Sequence, residues 1–203
     1  SFETFHQDLD RIYRVKTHER IDGEMKETYS SPVVLESAFR EEFPQIEAIT
    51  GVTNADVQAI LPDQSTQNQR IRLVHPDFLK MLNFPLIKGD ISSQLVDKYS
   101  VVITEKAAKL YFGSADPIGQ SLQLKMGEDF VDYRVSGLLK NPPANNSIPF
   151  EILMPIENMD FFADKESLAS WYNVWVFNLV KLNNPEQVAS IHQSMEAFMK
   201  KSL

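Results

Sequence analysis

The stretch "YFGSADPIGQSLQL", residues 111–124, contains two glycines at the ends of a polar loop, Gly113 and Gly119. Such a loop either binds a phosphate or connects a helix to a strand. A Walker-type phosphate loop needs four residues between its glycines, with Lys and then Ser or Thr after the second. Here five residues separate the glycines and Gln120 follows the second one. Both the spacing and the missing lysine argue against a phosphate loop.

The direction of the chain argues against phosphate more strongly. The segment "TEKAAKLYFG", residues 104–113, predicts a helix with Thr104 as its N-cap and Gly113 as its C-terminal stop. The alternating segment after the loop, residues 120–126, predicts a strand. A phosphate loop leads into a helix N-terminus, whereas this loop follows a helix C-terminus, the negative end of the helix dipole.

We therefore interpret the loop as a structural turn formed by Gly113, Asp116, Pro117 and Gly119. Asp116 and Pro117 start the turn, because Pro presets the backbone for its first central position. Gly119 occupies a turn position that needs positive φ.

Three further segments place apolar residues at intervals of three and four and so predict amphipathic helices: residues 1–13, 30–44 and 184–203. For the second of these, Ser31 is the expected cap and Pro32 the expected first helical residue. The expected buried stripe of the last helix is Val188, Ile191, Met195, Phe198 and Met199.

Alternating segments lie between these helices. Asp22-Gly23 predicts a hairpin turn, since both residues tolerate positive φ, and residues 120–139 predict a second hairpin. The polar, non-periodic residues 63–69 predict a loop tip or a subdomain crossing. Helices and strands in clusters, with several hairpins, predict an α+β fold with mixed or antiparallel sheets rather than a doubly wound parallel sheet.

The composition excludes several classes of function. The 203-residue chain has no cysteine, which excludes a disulfide framework and a thiolate metal site. A net charge of −8 argues against nucleic acid and against adhesion to anionic lipid. No run of about 18 apolar residues occurs, so no segment predicts a membrane span. The chain begins at Ser1 rather than at Met, and we expect it to be a piece of a longer protein.

No catalytic, metal-binding or cofactor-binding residues are predicted. The histidines, His6, His18, His75 and His192, lack a second ligand at metal-binding spacing. No GxSxG nucleophile elbow occurs, and neighbouring acids fall on polar faces or hairpin tips, as solvated residues do. A hydrolase whose acids or histidines are brought together from distant segments stays open as an alternative.

Three aromatic residues, Trp171, Tyr172 and Trp175, cluster just before and inside the last long strand. Strands favour aromatic residues for core packing and cross-strand pairing, and this is the favoured interpretation. Contact with a ligand or a partner is the alternative, and it would make the chain an extracytoplasmic sensor that binds a small molecule.

Four segments together show a family resemblance: "DRIYRV" (residues 10–15), "HPDFLKMLNFPLIKGD" (75–90), "SVVITEKAAKLYFGSADPIGQSLQL" (100–124) and "YRVSGLLKNPPANNSIPFEILMP" (133–155). In this order they resemble the periplasmic core domain of MacB-like and FtsX-like ABC transporter permeases. The resemblance is most specific in the ordered set of a helix, "FG…DPIG", a hairpin carrying "V.G" and "P.NS…F".

The resemblance implies a porter-like, membrane-proximal subdomain of βαβ type, built from residues 1–62 and 165–203. It implies an inserted, mainly β (Sabre-like) subdomain over residues 63–164. It further implies a non-enzymatic domain without cofactors on the periplasmic side of the cell inner membrane. Its implied partners are the transmembrane helices of the same permease, a separate cytoplasmic ATP-binding protein or domain, and a periplasmic partner protein.

Overall fold

The computed structural model describes residues 9–143 and 147–202. The strands are β1 (Ile12–Arg14), β2 (Thr17–Ile21), β3 (Glu24–Thr28), β4 (Ser31–Pro32), β5 (Ile46–Ile60), β6 (Thr66–Val74), β7 (Leu86–Lys88), β8 (Ser100–Thr104), β9 (Ser121–Met126), β10 (Asp129–Leu139), β11 (Ile152–Pro155) and β12 (Val174–Leu182). The α-helices are α1 (Leu35–Glu42), α2 (Asp77–Leu82), α3 (Glu105–Phe112), α4 (Lys165–Ala169) and α5 (Val188–Ser202). This mixture, with both parallel and antiparallel strand pairs, confirms the α+β prediction.

The helix predicted over residues 1–13 lies largely outside the described residues. Within them, Leu9–Arg11 forms a single 3-10 turn, and Tyr13 belongs to β1. Residues 11–19 also alternate in a way that predicts a strand overlapping this helix, and the strand prediction holds at Tyr13, which pairs with Val180 of β12 in an antiparallel ladder.

The described chain divides into two compact units. We call residues 9–52 with 164–202 the terminal unit, and residues 53–163 the central unit. The first half of β5 belongs to the terminal unit and its second half to the central unit. The boundaries expected between the two subdomains lie at residues 62/63 and 164/165, and the structure divides the chain at residues 52/53 and 163/164.

The sheet of the terminal unit is antiparallel. β12 pairs with β1 on one side and with the first half of β5 on the other, so that Val180 lies between Tyr13 and Ile49. The helices α1 and α5 pack on this sheet. The buried core that they share with it comprises Leu35, Phe39, Phe43, Ile49, Val180, Leu182 and Phe198.

Three aromatic rings join the two helices. The ring centroids of Phe39 and Phe43 in and after α1 lie 5.2 and 5.5 Å from that of Phe198 in α5. Pairs of this kind contribute about 0.5–1.5 kcal/mol beyond the burial of their area. The spacing of four between Phe39 and Phe43 places both rings on one helix face.

The start of α1 differs from the prediction. Ser31 and Pro32 form β4 instead of capping the helix, and Val34 precedes the first helical residue without a side-chain cap. The hydroxyl of Ser31 is buried, donates to the carbonyl of Val176 at 3.1 Å and accepts from Nδ2 of Asn178 at 2.8 Å. The prediction was wrong because β12 engages this serine.

The strands β2 and β3 form a separate two-stranded hairpin. Asp22 and Gly23 at its tip have φ values of 53° and 85°. These are the conformations that the Asp-Gly pair predicts, so this hairpin prediction is confirmed.

The central unit has a mixed sheet. From the second half of β5 the order is β6, β11, β8, β10 and β7, and β9 pairs with both β10 and β5. The pairs β6–β11 and β8–β10 are parallel, and the β9–β10 hairpin is antiparallel, as predicted. Alternate residues of β9, Leu122, Leu124 and Met126, are buried.

The polar residues 63–69 are not a free loop. The chain turns between Leu61 and Ser65, and β6 begins at Thr66. Gln69 is almost fully buried and accepts a 2.6 Å hydrogen bond from the hydroxyl of Tyr111. The prediction of a loop tip holds for residues 63–65 and was wrong for residues 66–69, where a strand forms and a distant partner satisfies the polar side chain of Gln69.

Candidate functional site

The loop after α3 is held by backbone hydrogen bonds to the helix and to β10. Gly113, with φ of 63°, ends the helix and donates to the carbonyl of Lys109. Gly119 has φ of 81°, and its N–H donates to the carbonyl of Val135 at 2.8 Å. The donor of Gly119 is therefore engaged by β10.

The polar side of the same loop is also occupied. Asp116 accepts from Lys88 Nζ at 2.6 Å and from the N–H of Ile118 at 3.2 Å. The hydrogen bond from Lys88 holds the pKa of the Asp116 carboxyl below its ordinary value. Pro117 contributes its carbonyl to the N–H of Gln120 at 3.0 Å. This arrangement has the contacts of a structural turn.

The three aromatic residues of the predicted cluster lie in different environments. Trp171 packs on Phe198, with ring centroids 5.9 Å apart. Tyr172 is 81% exposed, and Trp175 in β12 is 39% exposed. None of the three borders the cleft described below.

Two of the described histidines, His18 and His192, border one cleft that is described below, and His75 lies just before α2. His18 lies in β2, where its Nε2 is 3.3 Å from a carboxylate oxygen of Glu27, and His192 lies on α5. His6 lies outside the described residues. Among residues 9–143 and 147–202 no group of three His, Asp or Glu side chains could hold a metal ion.

Both ends of the described chain are tied to one short segment. Arg11 donates to Glu47 at 2.6 Å, and Lys181 also contacts that carboxylate, at 3.1 Å. Lys201, near the other end, binds Glu42 at 2.7 Å. Burial acts to raise the pKa of Glu47, but the hydrogen bonds from Arg11 and Lys181 outweigh it and lower the pKa. The two ends of the terminal unit therefore meet acids five positions apart.

A cleft of about 610 Å³ opens in the terminal unit between β1 and α5. Its apolar lining includes Tyr13, Val15, Phe39, Ile191, Met195 and Met199. This volume lies within the range of about 300–1,000 Å³ that is typical of ligand sites.

The rim of the cleft carries a small ion-pair network. Glu27 of β3 accepts from Lys16 Nζ at 2.8 Å and lies 3.3 Å from His18. The hydrogen bond from Lys16 lowers the pKa of Glu27. His192 borders the cleft from the side of α5.

The helix α5 forms the cleft because its apolar stripe is wider than the surface that covers it. Phe198 is buried in the core, whereas Met195 and Ile191 are only half-buried and Val188 is 40% exposed. The helical period predicts this stripe, but it cannot show that the stripe is incompletely covered. The sequence analysis also missed the edge of β1 that borders the cleft, because an alternating pattern cannot show which edge of a strand is left uncovered.

One comparison with known proteins identifies the family. The model of the family "MacB-like periplasmic core domain" matches residues 1–198. No curated protein matches the chain significantly.

Solved structures show the same fold. A crystallised domain assigned to a permease from Porphyromonas gingivalis is 27% identical with a TM-score of 0.81, and the match covers 99% of this chain and 85% of that one. The periplasmic region of MacB from Actinobacillus actinomycetemcomitans is 14% identical with a TM-score of 0.61, covering 85% and 74%. The extracellular domain of the noncanonic ABC-type transporter YknZ from Gram-positive bacteria is 13% identical with a TM-score of 0.57, covering 88% and 86%.

No helix in the described part of the chain has both the length and the apolar character needed to cross a membrane.

Proposed function

This chain belongs to the family of MacB-like periplasmic core domains, and from that premise we propose that it is the non-catalytic extracytoplasmic domain of an ABC transporter permease. In this role it couples the motion of membrane helices to the engagement of a substrate or a partner protein. The domain lies on the periplasmic side of the inner membrane. It works with the transmembrane helices of its own permease and with a separate cytoplasmic ATP-binding protein or domain.

The observation that carries the proposal is the meeting of the two chain ends in the terminal unit. Arg11 binds Glu47 and Lys201 binds Glu42, so both ends of the described chain lie in one region. A domain carried between two membrane helices needs this arrangement. The ties also give the helices a mechanical connection to β5 and α1, through which a displacement can be transmitted.

The location is tested by labelling a single introduced thiol. Tyr172 is 81% exposed and the chain has no cysteine, so Tyr172→Cys introduces one accessible thiol. In intact cells that make the full permease, a membrane-impermeant maleimide should label this variant. The matched control is Leu124→Cys, whose side chain is fully buried and should label only after denaturation. Labelling of Tyr172→Cys only after permeabilisation would contradict the proposed location.

The coupling is tested on the tie at the second chain end. In the full permease, Lys201→Glu places a second acid against Glu42. The resulting repulsion should reduce the stimulation of ATP hydrolysis by the transported substrate. Exposed ion pairs contribute only about 0–1 kcal/mol, so the domain should stay folded. The exchanged pair Glu42→Lys with Lys201→Glu restores the attraction and should restore the stimulation. Equal stimulation in all three proteins would remove the coupling role from this contact.

The cleft favours a second candidate function, an extracytoplasmic domain that senses a ligand. Its apolar lining and a few convergent polar groups are typical of small-molecule sites. A thermal-shift screen of sugars and amphiphiles discriminates the two candidates. A sensor should be stabilised by one class of ligand, and variants at Met195 should lose that shift.

A further inference from the structure

β1 has one edge without a strand partner in the described chain. It stands at the end of the strand order, paired with β12 only. In an antiparallel ladder, alternate residues direct their N–H and C=O groups toward the partner and away from it. The N–H of Val15 donates to the carbonyl of Asn178 at 2.9 Å, so Val15 faces β12. The backbone groups of Ile12 and Arg14 therefore point outward.

The cleft borders this edge and not only one face of the strand. Its lining includes six consecutive residues, 13–18. Side chains in a strand alternate between two faces, so a cleft that touched one face would be lined by every second residue. The two residues of this run that belong to β1, Tyr13 and Arg14, are neighbours whose side chains lie on opposite faces, so the cleft reaches the edge of the strand.

The opposite wall of the cleft is apolar and adaptable. Ile191, Met195 and Met199 are half-buried on α5. Methionine is unbranched and polarizable, and surfaces that contain it accommodate side chains of different shape. The cleft thus combines a row of outward backbone hydrogen-bonding groups with an apolar wall.

We propose that this cleft binds an extended, apolar segment of a partner or substrate protein, which adds to the outer edge of β1 as a further strand. An acyl chain would cover the methionines but leave the backbone groups of β1 unpaired. A helix satisfies its own backbone and cannot pair with an edge. An extended peptide covers the methionines and also pairs with the backbone of β1. Its main-chain hydrogen bonds give affinity, and its alternate side chains in the cleft give selectivity.

The charges along the edge specify the segment further. Arg14 and Lys16 outnumber Glu27 by one charge here, although the chain as a whole carries −8. The guanidinium of Arg14 is held 4.2 Å from the ring centroid of Tyr29 and 4.6 Å from that of Phe177. We expect the bound segment to carry an acidic residue beside its apolar positions.

The inference rests on the proposed function in one respect: it names the chemistry of the partner that the proposed domain engages. Binding is measured on the 203-residue chain alone. The peptide result therefore tests the inference separately from the location of the domain and from its coupling role in the permease.

The probe is a fluorescein-labelled peptide of about seven residues, in which valine alternates with threonine between terminal glutamates, long enough to span about 23 Å. Fluorescence anisotropy should show saturable binding. Two control peptides carry N-methyl groups on alternate amides, one on each edge of the strand. Methylation of the edge that faces β1 should weaken binding about tenfold or more, since it leaves buried groups unpaired. Methylation of the other edge should leave binding within about twofold.

Protein variants test the same contact from the other side. Arg14→Pro removes the outward N–H and keeps the ladder to β12, because edge strands tolerate proline with its nitrogen facing out. It should weaken binding more than Arg14→Ala, which removes the same side chain but keeps the N–H. Met195→Glu should weaken binding through the apolar wall. The matched change Gln193→Glu, on the exposed side of α5, should not.

Three results would overturn the inference. They are equal binding of both methylated peptides, no saturation up to about 1 mM peptide, and equal affinity of Arg14→Pro and Arg14→Ala. Displacement of the peptide by decanoate, together with insensitivity to N-methylation, would assign the cleft to acyl chains instead. If Arg14→Pro fails to fold, the methylated peptides decide the question with the unaltered chain.

Discussion

Arg11 and Glu47 lie 36 positions apart, and Nη1 of Arg11 is 2.6 Å from Oε2 of Glu47. The contact joins the first described turn of the chain to the start of β5. Lys181 of β12 reaches the other oxygen of the same carboxylate at 3.1 Å. One acid therefore holds cations from two distant segments.

Replacing Glu47 should change how stability depends on pH. The folded pKa of Glu47 lies below its ordinary value. Its stabilising contribution is therefore present above the unfolded pKa of about 4.3 and is lost as the pH falls through the folded pKa. The melting temperature of Glu47→Gln should fall below that of the wild type near neutral pH, and the gap should narrow in acid. Glu128→Gln at a hairpin tip is the control, and a gap that stays constant with pH would contradict the prediction.

Gly119→Val should destabilise the domain through the backbone alone. Gly119 has φ of +81°, and an added Cβ would meet no atom within 4 Å. The left-handed conformation costs a residue with a Cβ about 1–2 kcal/mol, and a β-branched residue more. Urea unfolding should show Gly119→Ala losing about 1–2 kcal/mol and Gly119→Val losing at least as much. An unchanged midpoint for both would show that this turn does not require the observed φ.

Gly137→Ala should destabilise the domain by a steric route. A Cβ at Gly137 would lie 2.8 Å from Oε1 of Gln94, a buried side chain that donates to the carbonyl of Asp90 and accepts from the hydroxyl of Ser136. Overpacking of this kind costs about 1–3 kcal/mol. Gln94→Ala removes the obstacle, so the double variant should lose less than the sum of the two single losses. Strict additivity of the urea-derived free energies would remove the steric explanation.

Tyr133→Phe should lower the stability of the domain and change how that stability falls at alkaline pH. The buried hydroxyl of Tyr133 donates to Oδ1 of Asn158 at 2.7 Å, and Nδ2 of Asn158 donates to the carbonyls of Lys98 and Pro155. Removing one partner of such a buried bond costs about 1–3 kcal/mol.

Burial raises the pKa of the Tyr133 phenol above its ordinary value. The neutral phenol therefore stabilises the fold below the unfolded pKa of about 10, and this contribution is lost as the pH rises above it. Between about pH 9 and 11 the wild type should lose stability more steeply than Tyr133→Phe in urea titrations followed by fluorescence. Parallel curves would show that Tyr133 does not titrate with unfolding.

Local signals were sufficient where the structure depends on neighbours in the chain. Asp22 and Gly23 form the predicted hairpin turn. As predicted, Thr104 caps the start of α3 and Gly113 ends it. These features follow from the φ values that a residue tolerates and from hydrogen bonds within a few positions. The start of α1 did not follow from Ser31, because that hydroxyl is bound by β12, 145 positions away.

The sequence by itself therefore determined the class of the fold, the turn at Asp22-Gly23, the turn after α3 and the apolar stripe of α5, because these depend on local backbone preferences and periodicity. Only the tertiary structure decided that Gln69 is buried against Tyr111 and that cations at both ends of the described chain meet acids of α1 and β5. It also decided that, among the described residues, one edge of β1 has no strand partner and lies beside a half-covered helix. Such features arise from pairings between distant segments, and the free energy of those pairings depends on which surfaces meet rather than on the order of residues in any one segment.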